Sequence, residues 1–264
     1  MTHSLTRWPA TVAAVVCMAQ AAVGAPVTLG GVPHYPNECG CAPAAGGMVV
    51  GFWDDNGFDH LIDGSNDWTT NMAAIRNMIA SPEHQADYLG TDDPDPHPDN
   101  CLADFMDTSV DPLPDYETAA SRIAPGLVGY AVYVGYTTST AESTTYIDWS
   151  DDTYWDAYVA EIDAGRPVVF RVDSNGDGSS DHYVAGYGYD PDEKEYIFLD
   201  SNNPGQQDAA FTGVAPGQNF GLRMVTTFIP MPEPATLALV GGGLGLALAG
   251  RIHKANPIVK KRSR

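Results

Sequence analysis

Basic residues are scarce in this sequence, and most of them sit at its two ends. Of 264 residues only 13 are Lys or Arg, against 34 Asp and Glu. Between Pro26 and Pro232 there are 33 acids and 6 bases, which gives the body a charge of −27. Such a surface repels phosphates instead of releasing counterions from them, so nucleic acid is excluded as a partner. It suits a solvated extracellular surface or one that holds Ca²⁺. Long charged helices are missing too: 27 Gly and 20 Pro with 18% charged residues point to a turn-rich chain of mixed α and β structure. Internal repeats and long linkers are absent, so a single domain is the simplest division of the body. Cysteine is sparse, with four in all, and Cys17 lies in an N-terminal segment that reads as removable. Cys39, Cys41 and Cys101 remain, and in an oxidising compartment an odd number leaves one thiol free or paired between chains.

The two ends account for most of the positive charge. Met1 to Ala25 has a weakly basic start (His3, Arg7), an apolar run from Ala10 to Val23 and small residues at Val23-Gly24-Ala25, the pattern of an export signal cut by signal peptidase. Pro26 disfavours cleavage directly before it, and Ala21 or Ala22 offers another site. At the other end Pro232-Glu233-Pro234 precedes the uncharged stretch Ala235 to Gly250, and Arg251, Lys254, Lys260, Lys261, Arg262 and Arg264 follow it. Those 16 apolar residues are short for a hydrocarbon core of about 30 Å, and the basic tail favours the cytoplasmic side. Motif, apolar segment and tail resemble the PEP-CTERM sorting signal of exported bacterial proteins. That resemblance implies recognition by an exosortase, a transient inner-membrane anchor at 235–250 and a body delivered to the periplasm, outer envelope or extracellular matrix. The chain thus reads as a signal peptide over 1–25, one domain over 26–231 and a sorting signal over 232–264.

The body is organised around Val32 to Gly57, where a loop becomes a helix at Cys41. Pro43 suits a first helical turn, and Ala44, Ala45, Met48, Val49, Phe52 and Trp53 recur at helical spacing. A thiol at a helix N-terminus feels the positive end of the dipole, which favours thiolate over thiol. The other reading of Cys41 is a small buried hydrophobe or half of a disulfide. Asn66 or Asp67 caps a second helix through Ala80, and the Asp- and Pro-rich stretch from Gly90 to Pro114 reads as loop. A short helical pattern ends before Pro125-Gly126. Leu127 to Tyr136 and Thr144 to Trp149 then read as strands, being rich in Val, Tyr, Thr and Ile. A helix from Ser150 or Asp151 to Gly165 follows, and strands are expected at 167–173, 182–189, 195–199 and 220–229. Helices leading and strands following predict an α+β fold, a cysteine-bearing helix packed on an antiparallel sheet.

His182 opens one of those strands and Asp200 ends the next. If the two pair about the turn at 190–194, residue 182 lies opposite roughly 200 to 202, which brings the imidazole to the carboxylate. A cysteine nucleophile needs such a base and an acid to orient it. The segments CAPAAGGMVVGFWD, AGRPVVFRVD, DHYVAGYGYD and YIFLDSNNPG, in this order from Val32 to Asn203, resemble the papain-like peptidases related to the bacteriocin-processing, double-glycine leader peptidases. Cys41 precedes His182 by 141 residues, within the ~130–150 of papain-like enzymes. The resemblance implies Cys41 as nucleophile, His182 as general base, Asp200 as orienting acid and a peptide or protein as substrate. The family usually places an oxyanion-hole amide, often Gln, shortly before the nucleophile. Asn37 is the only amide there, shorter than Gln, and a lost oxyanion donor costs ~10²–10³ in rate. Pairing Cys39 with Cys101 would leave Cys41 free for catalysis, whereas pairing Cys41 with Cys101 would abolish it. His34, His60, His84 and His97 read as surface or loop residues.

The loop before His182 is a second candidate site. Asp173, Asn175 and Asp177 stand at positions 1, 3 and 5 of an EF-hand-like run, Gly178 at 6 and Asp181 at 9, a set of oxygens suited to Ca²⁺. Position 12 is Val184 instead of the bidentate Glu, so a shorter Ca²⁺ loop or a plain hairpin turn remains. No other cofactor is called for. Two functional readings stand: an exported cysteine peptidase or amide hydrolase, with transamidation by the same residues, and an inactive envelope or matrix binding protein on the same fold.

Overall fold

The computed structural model describes residues 24–90, 96–145 and 152–231; the export signal, the caps expected at Ser150 or Asp151 and the sorting signal lie outside these. The elements run β1 (Val27–Thr28), α1 (Cys41–Asp55), α2 (Trp68–Ile79), α3 (Pro82–Tyr88), α4 (Leu102–Phe105), α5 (Ile123–Tyr133), β2 (Thr140–Thr145), α6 (Asp152–Asp163), β3 (Val168–Asp173), β4 (His182–Asp190), β5 (Glu195–Asp200), β6 (Asn203–Ala210) and β7 (Gly221–Ile229). The strands form one antiparallel sheet in the order β2-β7-β3-β4-β5-β6, with β1 added on β4. This is the α+β architecture that the order of elements predicts.

The sheet has an apolar layer on each face because its central strands are apolar at successive positions. Val169 on β3 joins the cluster of α1, α2, α4 and α5, while its neighbours Val168 and Phe170 join Tyr158 and Ile162 of α6 on the other side. Tyr158 is fixed there by donating to the Gly188 carbonyl at 2.6 Å. Twelve of the 15 residues of α1 are buried, so this helix is the middle of the molecule instead of a surface helix. Its start is anchored by Gly40, whose φ of +93° is open to glycine and strained for other residues. A Cβ there would also meet the Tyr116 carbonyl oxygen at 2.6 Å.

Three segments differ from the sequence-based expectation. Leu127 to Tyr136 is not a strand: Ile123–Tyr133 is helix α5, entered through a 3₁₀ turn at Ala120–Arg122. Pro125, expected as a stop, sits in the first turn of α5, where its missing N–H costs nothing. Packing overrides the β propensity of Val128, Tyr130 and Val132. Gly126 and Gly129 let α5 lie directly on Met106 and Phe105, positions a side chain would clash with. The stretch from Gly90 to Pro114 holds a short element, α4, and α3 and β6 were not foreseen either. The edge strand expected at 144–149 is β2 at Thr140–Thr145, and the remainder of it lies outside the described residues. Asp67 caps α2, accepting from the Thr69 N–H at 2.9 Å, as the sequence predicts.

Candidate active site

Three elements deliver one residue each. Cys41 is the first residue of α1, His182 the first of β4 and Asp200 the last of β5. The α1 N-terminus has no side-chain cap, and the first intrahelical bond runs from Ala44 N–H to the Gly40 carbonyl. The N–H groups of Cys41 and Ala42 are therefore left over from the helix, and Pro43 has none. Cys41 is part exposed. His182 and Asp200 are buried, and Nε2 of His182 donates to Oδ1 of Asp200 at 2.7 Å. Cys41 is near enough to the same ring to act on its charge.

Electrostatics favour a charged ring. Burial works against the imidazolium, but hydrogen bonds to Asp200 and Cys41, and the charges of both, outweigh it and lift His182 from 6.5 to about 10. Asp200 is held at about 2: burial would raise it, and donation from His182, from Asn202 N–H at 2.9 Å and from Asn203 Nδ2 at 2.7 Å prevails. Asn202 and Asn203 were not singled out from the sequence, although their place directly after Asp200 is the turn position where Asn suits.

The loop that leads to Cys41 is stitched to this strand end. His34 Nε2 donates to the Asp200 carbonyl at 2.9 Å and Asn37 N–H to the Ser201 carbonyl at 3.1 Å. The Asn37 side chain is exposed, and its Nδ2 donates to Asn202 Oδ1 at 3.0 Å. One proton of this amide is thus engaged close to Asp200. Cys39, Cys41 and Cys101 are all free thiols, so neither the Cys39–Cys101 nor the Cys41–Cys101 pairing is formed. Cys101 instead caps α4 and donates its thiol to Asp104 Oδ2 at 3.1 Å.

Asp104 belongs to a buried polar cluster that the sequence reading missed. Far from lying on the surface, His84 is completely buried and shares Nδ1 with Asp104 Oδ1 at 2.6 Å. His84, Cys101 and Asp104 are the group among the described residues whose ligand atoms lie within 4.8 Å of one another. Hydrogen bonds close Asp104 Oδ2, which accepts the N–H groups of Asn100 and Cys101 as well as the thiol, while Nε2 of His84 is buried without a partner. The loop of Asp173, Asn175, Asp177 and Asp181 is closed in a similar way. Asp173 accepts N–H groups from Gly176, Asp177 and Gly178, Asn175 accepts from Asp177 N–H, Asp177 from Ser179 N–H, and Asp181 from Ser174 N–H and Asn175 Nδ2.

Beside Cys41 opens a cavity of about 210 Å³ lined by Tyr116, Glu117, Thr118, Arg171, Ser180, Asp181 and Tyr183. Burial pushes the Tyr183 hydroxyl up to about 12, against the pull of the Arg171 charge. A half-exposed sulfur, a ring charged by two neighbours and unbonded helix N–H groups at the edge of a cavity together suit nucleophilic attack on a carbonyl carbon. A family model described as Peptidase_C39 like family matches residues 14–214. Neither the curated proteins nor the solved structures gave a match.

Proposed function

The chain belongs to the Peptidase_C39 like family, and from that premise we propose that it is an exported cysteine peptidase or amide hydrolase working through Cys41, His182 and Asp200. The observation that carries the reading is the placement of His182, whose ring is bound by Asp200 through Nε2 and has its charge favoured by both Asp200 and Cys41. In this reading His182 takes the proton of the Cys41 thiol and the sulfur becomes the nucleophile. It attacks the scissile carbonyl, and the Cys41 N–H at the helix start donates to the oxyanion, with the free proton of Asn37 Nδ2 as a second donor. The His182 proton passes to the leaving amine, which departs and leaves a thioester. Water then gives up a proton to His182 and attacks the thioester, releasing a carboxylic acid and regenerating Cys41 and His182. An amine in place of water gives transamidation. Asp200 keeps the ring oriented throughout.

The export signal at 1–25 and the PEP-CTERM-like segment at 232–264 support delivery of this domain outside the cytoplasm, with signal peptidase and an exosortase as processing partners. No helix among the described residues is long and apolar enough to cross a membrane. The competing reading, a silent binding protein of the envelope or matrix, draws on the engaged amide of Asn37. Iodoacetamide labelling of residues 26–231 at pH 6, with mass spectrometry to place the label, tests the proposal. Selective modification of Cys41 that disappears in His182→Ala is expected, and hydrolysis of a peptide library by the same preparation completes it. Labelling of Cys41 no faster than a free cysteine would reject the enzyme.

A further inference from the structure

The six bases of the body are unevenly satisfied. Arg76 pairs with Glu38, Arg122 with Asp107, Arg166 with Glu161 and Lys194 with Asp152. Arg171 and Arg223 have no carboxylate partner among the described residues, in a body with 33 acids. Both converge on the same place: they line one cavity of about 360 Å³ with Ser179 and Ser180, and Arg171 and Ser180 also line the cavity at Cys41.

Arg171 on β3 lies directly opposite Tyr183 on β4, on the sheet face that carries α1. Its guanidinium stands 5.9 Å from the centre of the Tyr183 ring, and Nη2 donates to the Ser180 carbonyl at 3.0 Å. Nε of Arg171 and Oη of Tyr183 are both buried and without a hydrogen-bond partner. A buried donor left unmade costs ~1–3 kcal/mol, more when charged, so two of them beside a nucleophile call for an acceptor that arrives with the substrate. The carboxylates nearest at hand do not fill this role: Asp181 is held by Ser174 and Asn175, and Glu117 is exposed.

Resting on the reading of Cys41 as the nucleophile, we propose that Arg171, with Tyr183, is a specificity site for a substrate carboxylate next to the scissile bond, with Arg223 adding positive potential at its outer edge. A guanidinium binds a carboxylate in a planar, two-point fashion that a neutral amide cannot match, so the enzyme selects acidic peptides. In a body of charge −27 these two bases, without a carboxylate partner among the described residues, set this spot apart as a place for an anion. The carboxylate comes from an Asp or Glu side chain or from the C-terminus of a short peptide.

Two alkylating agents test this without knowledge of the substrate. Iodoacetate and iodoacetamide both transfer a carbon to the sulfur with loss of iodide, and they differ in carrying a carboxylate or an amide. The ratio of their rates at Cys41 is expected to exceed that of a free cysteine by tenfold or more, and to fall by at least that factor in Arg171→Gln. Arg171→Lys, which keeps charge without the fork, should fall between. Should Arg171→Gln not fold, Tyr183→Phe removes one buried hydroxyl and is expected to lower the ratio too. A wild-type ratio equal to that of free cysteine, or one unchanged by these variants, overturns the carboxylate site while leaving the nucleophile intact. Cys41 inert to both reagents instead overturns the nucleophile itself. Matched peptides then separate the two sources: a Glu to Gln change that lowers kcat/KM points to a side chain, and loss on C-terminal amidation points to the terminus.

Discussion

Removing the Asp200 carboxylate is the perturbation that probes the site most directly. In the native protein His182 is lifted from 6.5 to about 10. At about 1.4 kcal/mol per unit this is on the order of 5 kcal/mol in favour of the imidazolium, shared between Asp200 and Cys41. Asp200→Ala takes away one of the two partners and leaves Nε2 of His182, the Asn202 N–H and the Asn203 amide without their acceptor. Breaking a buried pair from one side costs ~3–5 kcal/mol. For a domain of this size that lowers Tm by about 6–20 °C. The chemical effect is separate: without the carboxylate the ring holds its proton less firmly, so iodoacetamide labelling of Cys41 at pH 6 should slow by about tenfold or more. Asp200→Asn keeps an acceptor for Nε2 but not the charge, and belongs between wild type and Asp200→Ala in both assays. Calorimetry and stopped-time alkylation on folded protein measure the two effects. Undiminished labelling of Cys41 in folded Asp200→Ala would refute the account of how the ring is charged.

Stability should also follow pH in a way set by these two groups. His182 is raised above its unfolded value, so its contribution is complete below about pH 6.5 and is lost as pH climbs through about 10; Asp200 is lowered, so its contribution is present above 3.8 and lost as pH falls through about 2. Thermal melts across pH should show the wild type losing more than His182→Gln between pH 7 and 10. Gly40→Ala places a side chain at φ +93° and 2.6 Å from the Tyr116 carbonyl, and should cost ~2–4 kcal/mol by denaturant titration, whereas Gly30→Ala, with nothing within 4 Å, should cost under ~1 kcal/mol. Phe170→Ala, in the cluster under α6, should cost ~3–5 kcal/mol by the same titration without slowing Cys41 labelling in protein that remains folded. Chelation followed by Ca²⁺ should leave Tm unchanged, because the carboxylates of the loop at 173–181 accept its own N–H groups; a rise on adding Ca²⁺ would show that the loop re-forms around the ion.

What could be read in the sequence was what local spacing determines. The turn at 190–194 fixes the β4–β5 pairing, and simple counting placed 182 opposite 200 to 202. Ala185 is opposite Leu199 in the structure, the register that count requires, while a bulge between Gly186 and Gly188 shifts the far end by one. Both acid and base therefore lay within reach of arithmetic. Arg171 and Tyr183 did as well, since β3 and β4 also pair as a hairpin about the loop at 174–181, but the signal there was an unpaired charge, and pairing of side chains across the whole fold is invisible to counting. The helix α5 failed for a different reason. Its Val and Tyr content argues for a strand, and only the contact of Gly126 and Gly129 with Met106 and Phe105, 20 and more residues away in sequence, settles the outcome. His84 was misjudged in the same way, because the acid that buries it, Asp104, stands on an element too short to have a period.

The position of the site follows from this division between local and distant. Each residue proposed for chemistry sits at the end of an element, where a side chain can turn toward its neighbours without giving up a place in the core. Cys41 starts α1, which is buried along nearly its whole length and cannot shift without disturbing both α2 and the sheet. His182 and Asp200 end adjacent strands, tied to the Cys41 loop through His34 and Asn37. Rigid elements thus set the distances and the loop between them is stapled by hydrogen bonds, the condition for a preorganised site. Some of the cavity walls come from connecting segments. Thr118 and Glu117 come from the segment before α5, and Ser180 from the turn before β4. Change in these walls would alter which peptide is accepted and leave the pairing of sulfur, imidazole and carboxylate untouched. The carboxylate preference should therefore yield to substitution at Arg171 far more readily than the reactivity of Cys41 does.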